Sequence, residues 1–409
     1  MTNAAAGPLT DAPDVPETSQ GSPQFSPAKL DTTAGSCLHL LLGLLDRIGM
    51  ATFAAAALYV AAVVLTYLPL LIGAWLSPVS MTVREGAHRL PFLYDGNTPF
   101  MFLVSFPCML ILTVTDQRVL TRALDSVRAD GTVTISDADQ TAICKRWHRV
   151  FRMTNLAAQA LGLVIGSIVA YFNFVAFVPA SEGHWIADKG HLLPVGYVYL
   201  YCIFLFYAMA PVYVVRNLTI AFLLRDIVAH AQLHILPLHP DKAGGLQPVG
   251  NLGLRNQYVL TLFGLNIAIM IAVSYLFLGF SSLLISLMAA AIVAYLILGP
   301  LVFMAPLLPF RSAMLRNKAK LMSEVALRLR LELDHLRARL PSGTITGEDG
   351  ALIERLSKIG AVIDELPVWP FDAATLRKFL TAYVLPIVTS ISLPVVTMAK
   401  AVLKPAFPG

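Results

Sequence analysis

One segment carries residues whose types and spacing could do metal or acid–base chemistry: Asp226, His230, His234, His239 and Asp241. The first three recur at steps of four, so on a helix they fall close to one face. His239 and Asp241 follow beyond Pro237, on either side of Pro240. Imidazoles and carboxylates converging this way could bind zinc or another divalent ion, with His230, His234, His239 and Asp241 as candidate metal ligands. The residue after His230 is Ala231, not the glutamate of a zinc hydrolase, so hydrolysis is not indicated. The structural alternative, which the sequence favours, is an interfacial amphipathic helix followed by a capped turn.

The turn itself reads HPDKAGGL from His239 to Leu246. Pro240 stiffens the approach, and Asp241 can accept hydrogen bonds from the amides that follow it. Gly244 and Gly245 permit a positive φ or a close backbone approach. Lys242 could serve a phosphate cradle, but the spacing of a P-loop is absent. A second stiff segment, PVWPFD from Pro367 to Asp372, precedes the last apolar run. Asp372 is placed to cap a helix opening at Ala373. Trp369 and Phe371, with Arg377 and Lys378 behind them, suit a membrane–water interface. The run beyond, Phe379 to Leu403, carries Thr381, Thr389, Ser390 and Ser392 together with Pro386 and Pro394. Hydroxyls without charge on an apolar helix are candidate pore-lining groups.

No motif for nucleophilic hydrolysis, dinucleotide binding, kinase chemistry or phosphate loops occurs, so nothing favours an enzyme and no cofactor is indicated. Cys37, Cys108, Cys144 and Cys202 match neither a zinc pattern nor a disulfide framework.

The elements that must position these residues are membrane helices. The 409 residues are 56% hydrophobic and 13% charged, where a soluble domain carries about 25% charged residues. A span needs roughly 20 apolar residues. Such runs lie at Ala51–Leu76, Pro99–Val114, Leu156–Val178, Leu193 onward, Tyr258–Leu278 and Leu283–Leu308. Phe379–Leu403 is long enough for a seventh. The fold class is therefore all-α, a polytopic transmembrane helical bundle of six or seven spans. The fourth helix continues past Arg216 towards His234, with a kink expected at Pro211. Kinks or unwinding are also expected at Gly299, Pro300 and Pro306.

Lys and Arg gather in alternate loops: Arg118 to Arg152, Arg216 to Arg255, and Arg311 to Lys320. The positive-inside rule places these loops and the N-terminus in the cytoplasm. The net charge of +5 then reads as membrane orientation rather than a nucleic-acid footprint. Residues 1–35 have the composition of a disordered cytoplasmic tail, and residues 36–310 form the six-span bundle. Residues 311–366 read as a cytoplasmic helical hairpin. One apolar stripe runs through Leu315, Ala319, Met322, Ala326, Leu329, Leu333, Leu336 and Leu340. A second runs through Leu352, Leu356, Ile359, Ile363 and Leu366, with Thr346 as its cap. The stripes pack on each other or zip two subunits together. Residues 367–409 form the interfacial anchor and the seventh span.

The segments HPDKAGGL at His239–Leu246, Ala305–Phe310 and PVWPFD at Pro367–Asp372 together make residues 190–400 resemble a group of uncharacterised bacterial multi-span membrane proteins. Members have an HPDxAGGL-type loop and a similar approach to the last helix. The resemblance implies architecture and residence in a bacterial inner membrane, not an activity. A more distant likeness, in topology alone, is to seven-span ligand-gated channels of the insect chemoreceptor type. The expected partners are the lipid bilayer, further copies of the chain and a soluble cytoplasmic protein. Three functions follow as expectations: a channel-like pore former, a non-conducting sensor or scaffold working through the 226–246 loop and the hairpin, and a metal-regulated protein.

Overall fold

A computed structural model describes residues 31–47, 53–77, 90–180, 185–188, 191–235, 239–274, 282–339, 341 and 347–403. The chain is an all-α bundle, with only two short two-stranded ribbons among the described residues: Val133–Thr134 (β1) with Gln232–Leu233 (β4), and Ala187–Asp188 (β2) with His191–Leu192 (β3). Cys37–Arg47 (α1) precedes a first span built from Ala54–Leu65 (α2) and Tyr67–Leu76 (α3). The break between them has a local cause. Pro69 has no N–H, so the Leu65 carbonyl loses its intrahelical partner. Thr66 sits at the break with its hydroxyl bonded to the Ala62 carbonyl at 2.7 Å.

The second span, Asn97–Ala129, is continuous over 33 residues. It opens as Asn97–Pro99 (α4), passes through a π-helical segment at Phe100–Ser105 and continues as Phe106–Ala129 (α5). Pro107 explains the wider register, because its missing N–H leaves the Leu103 carbonyl without an i+4 donor. Two long helices follow. Asp137–Ala180 (α6) has 44 residues and Pro194–His230 (α7) has 37. At 1.5 Å per residue they reach about 66 and 55 Å, well beyond a ~30 Å hydrocarbon core. Both therefore project from the membrane at one end. The helix of α7 runs through Pro211.

Gln247–Val273 (α8) stands at the centre, against α5 on one side. On its other sides lie Ser282–Met304 (α9) and the last helix, Ala373–Leu403 (α12). Among the described residues five helices are long and apolar enough to cross a membrane. A sixth span arises if Met288–Met304 and Leu308–Arg339 (α10), bent by 47°, count as one broken span. Pro306 lies in the break. The chain is thus a multi-pass membrane protein. The run assigned to a seventh span is a single 31-residue helix, α12, continuous past both of its prolines.

α6 and α7 pack in close contact. Gly162 and Gly166 form a G-x-x-x-G pair. A Cβ on Gly162 would stand 2.0 Å from the Ala208 carbonyl oxygen. Such small-residue pairs let helix backbones touch in lipid, where no hydrophobic force drives association.

The hairpin pairs α10 with Gly347–Asp364 (α11). Lys318 bridges to Asp364 at 3.1 Å, and Leu321, Met322 and Val325 join Ile363 in the core. The seam is rotated from the expected stripe: Met322 is on it, but Leu315 and Leu333 are each 40% exposed. Leucines at 321, 327 and 331 give α10 more than one apolar side, so spacing alone did not fix the register. Leu340 and Thr346 lie outside the described residues. The turn before α1 is clipped to α6, where Asn155 Nδ2 donates to the carbonyls of Thr32 (3.0 Å) and Ala34 (2.9 Å). This order reaches into the segment whose composition predicts a tail.

Candidate functional site

The structure distributes the His/Asp set over three elements. His230 ends α7, so the helical face expected to carry His234 stops there. Asp226 is engaged by α6, through Arg146 and through Trp147 Nε1 at 2.7 Å. His234 lies beyond Gln232–Leu233 (β4), which pairs antiparallel with Val133–Thr134 (β1). His239 and Asp241 pair with each other, Nδ1 to Oδ1 at 2.6 Å. Among the described residues no three His, Cys, Asp or Glu side chains are gathered as a metal ion would require.

Asp241 instead organises backbone. Its Oδ1 accepts from the amides of Ala243 (2.9 Å) and Gly245 (3.1 Å), and its Oδ2 from Gln247 (3.2 Å), the first residue of α8. Gly244 and Gly245 take φ of 66° and 90°. A Cβ on Gly245 would meet Thr132 Oγ1 at 2.2 Å, so the loop lies directly on the β1–β4 ribbon. Burial pushes the Asp241 carboxyl up. The three amides and His239 outweigh it, and the net direction is down. A folded-state value below the unfolded one contributes stability above the ordinary carboxylate range, lost as pH falls through the depressed value. Thermal unfolding of the solubilised protein checks this. Asp241→Ala is expected to lose about 2 kcal/mol at pH 7, with the gap to wild type closing as the medium is acidified below pH ~4.

The approach to α12 is fixed by packing. Arg311 lies over the Trp369 ring at 4.4 Å from its centroid, and Trp369 rests on Phe371 at 5.2 Å. Asp372 Oδ1 accepts from the Thr375 amide at 2.9 Å, capping α12. From there α12 is bound to α9 by one aromatic ladder. Phe303 stacks on Phe379 at 4.0 Å, Phe379 on Tyr383 at 5.7 Å, and Tyr383 on Tyr295 at 5.6 Å. Tyr295 donates to the Tyr383 carbonyl and Tyr383 to the Leu296 carbonyl, each at 3.0 Å. Pro386 orphans the Ala382 carbonyl, and Thr261 of α8 donates to it at 3.0 Å. A hydroxyl from a neighbouring helix is one way a proline is tolerated inside a membrane helix.

The opposite face of α12 is open. Thr381, Leu385, Val388 and Thr389 are exposed on it. Thr389 bonds back to the Leu385 and Pro386 carbonyls at 3.0 Å each, and Ser390 to Pro386 at 2.6 Å. The Ser392 side chain lies outside the described residues.

Sequence reasoning missed a buried charge cluster between α5, α7 and α8. Asp116 Oδ1 lies 3.3 Å from Arg255 Nη1, and its Oδ2 lies 3.6 Å from Arg216 Nη2. The Asp116 and Arg216 side chains are 6% and 1% exposed. Arg216 also donates to the Thr113 carbonyl. Arg255 donates to the Leu112 carbonyl at 3.1 Å and to the Thr115 hydroxyl. By sequence these groups belonged to basic loops. The available signal was Ile220–Leu224: an apolar stretch resuming so soon after Arg216 keeps that arginine inside a packed helix.

Fold and site together define a multi-span helical membrane protein whose last helix is clasped by two neighbours. Compared with protein families, curated proteins and solved structures, the chain finds no match.

Proposed function

We propose that this is a bacterial inner-membrane protein, N-terminus in the cytoplasm, that forms a channel-like pore as a homo-oligomer. The observation that carries the reading is the division of α12 into two faces. Its aromatic face is locked to α9 by stacked rings, and the Thr261 hydroxyl of α8 bonds to its Ala382 carbonyl. Its outer face, with Thr381 and Thr389, is exposed in the single chain. In this reading α12 is the seventh span, copies assemble with the outer faces inward, and the hydroxyls line the path. Reconstitution in a planar bilayer tests it. Current is expected across voltage and tension ramps, with Thr381→Lys reducing cation conductance several-fold. Absence of current under every condition would overturn the pore.

A second reading rests on the hairpin. Leu327 and Leu331 of α10 and Ile359 and Val362 of α11 are exposed at 61%, 47%, 48% and 43%. A non-conducting scaffold would use them to hold a soluble cytoplasmic protein. Loss of a captured partner in Leu327→Asp/Leu331→Asp would favour this reading, and unchanged capture would remove the hairpin from it.

A further inference from the structure

The exposed face of α6 changes character once along its length. Lys145, Arg149, Arg152, Leu156, Leu163 and Phe174 follow one another at steps of four, three, four, seven and eleven, so they share one side of the helix. All six are exposed. The stripe is basic through Arg152 and apolar from Leu156 on. α6 is long and apolar enough to cross the membrane, and the exposed apolar side of such a helix meets lipid. Three cations therefore stand where that lipid-facing stripe ends, at the level of phospholipid headgroups.

No carboxylate of the helix answers these cations. The acidic residues of α6, Asp137 and Asp139, are both in its first turn. The neighbouring Arg146 is taken by Asp226, and Arg128 by Asp137. Among the described residues Lys145, Arg149 and Arg152 form no ion pair.

The surroundings of Arg152 are also shaped. A Cβ on Gly35, which has φ of 75°, would stand 3.0 Å from Arg152 Cγ. The turn before α1 thus lies against the aliphatic stem of that side chain, while the residue as a whole stays exposed. The Cys37 amide donates to Gln159 Oε1 at 2.9 Å. That contact starts α1 about 10 Å further along α6 towards its apolar span than Arg152. Leu40 and Leu44 of α1 are 76% and 55% exposed. A headgroup at Arg149 and Arg152 would have apolar surface beneath it on both helices.

We propose that this end of α6 binds an anionic glycerophospholipid. Its phosphodiester sits between Arg149 and Arg152, Lys145 adds attraction from one turn further out, and an acyl chain runs along the stripe past Leu156. Arginine suits the role, because its guanidinium forks two donors onto phosphate oxygens. A zwitterionic lipid offers the same phosphate but brings its own cation, which the three basic side chains repel. The inference rests on α6 crossing the membrane and not on whether the chain conducts.

The test is native mass spectrometry of the full chain in detergent micelles, titrated with palmitoyl-oleoyl phosphatidylglycerol or with the matching phosphatidylcholine. Phosphatidylglycerol is expected to bind about tenfold more tightly, from the attraction each cation exerts at headgroup level. Arg149→Gln/Arg152→Gln changes two exposed positions and is expected to elute from gel filtration as wild type does. It should bring the two lipids within about twofold of each other. Arg328→Gln/Arg330→Gln removes the same charge from α10 of the hairpin and is expected to keep the preference. Glycerol 1-phosphate, which carries the phosphate without the chains, is expected to leave the bound lipid in place at millimolar concentration. The inference is overturned if the two lipids bind equally, if Arg149→Gln/Arg152→Gln keeps the preference, or if the hairpin variant loses it as well. Displacement by glycerol 1-phosphate would also overturn it, by making the site one for soluble phosphate.

Discussion

Asp116→Asn is expected to destabilise the folded protein by about 3–5 kcal/mol. The substitution keeps the shape of the side chain and removes its charge. Arg216 and Arg255 then face each other without the carboxylate that lies 3.6 and 3.3 Å from them. Arg216 is 1% exposed and has no route to water. Removing one partner of a buried ionic group leaves an uncompensated charge, which costs more than the intact group contributes. The same reasoning predicts a rescue: Asp116→Leu combined with Arg216→Met and Arg255→Met should recover most of the loss, because apolar replacement of the whole group restores consistency. Thermal unfolding in detergent reads both. An Asp116→Asn protein within 0.5 kcal/mol of wild type, taken as about the scatter of a surface change, would show that the three groups do not act together.

Gly162→Leu is the second large effect. The Ala208 carbonyl oxygen would lie 2.0 Å from the first added carbon. The obstacle is backbone on a packed helix, so no side-chain rotation relieves it. α6 and α7 must separate, losing contacts along the longest helix pair in the molecule. The expected cost is about 3 kcal/mol or more, read as loss of monodisperse protein on extraction. Gly162→Ala should be milder but harmful. Gly166→Ala should be milder again, since its clash is 2.8 Å, with the Phe204 carbonyl. Gly43 has nothing within 4 Å of its Cβ position, so Gly43→Ala should be neutral or slightly stabilising. An unaltered Gly162→Leu protein would contradict the close packing of α6 on α7.

Much of the architecture is legible in the sequence because lipid imposes a coarse rule: long apolar runs become helices. That rule reads closely through α2–α3 and the start of α7, whereas α8 opens at Gln247, well before the apolar run that begins at Tyr258. It fails where polar groups are buried by partners far along the chain. Asp116, Arg216 and Arg255 sit at the ends of apolar runs, and only the approach of α5, α7 and α8 makes them one cluster. The His230–His234 spacing misled for a complementary reason. It assumed a helix that ends at His230, where the β1–β4 ribbon takes over the backbone hydrogen bonds. The role of Pro386 was also hidden, because the hydroxyl that satisfies its orphaned carbonyl comes from Thr261, more than a hundred residues earlier.

The central claim is that the outer face of α12 meets its counterpart in other copies of the chain. A structure of the assembly in lipid nanodiscs measures this directly. The account predicts α12 helices around a common axis, with Thr381 and Thr389 facing it. A single chain, or an assembly in which those threonines face lipid, would contradict it.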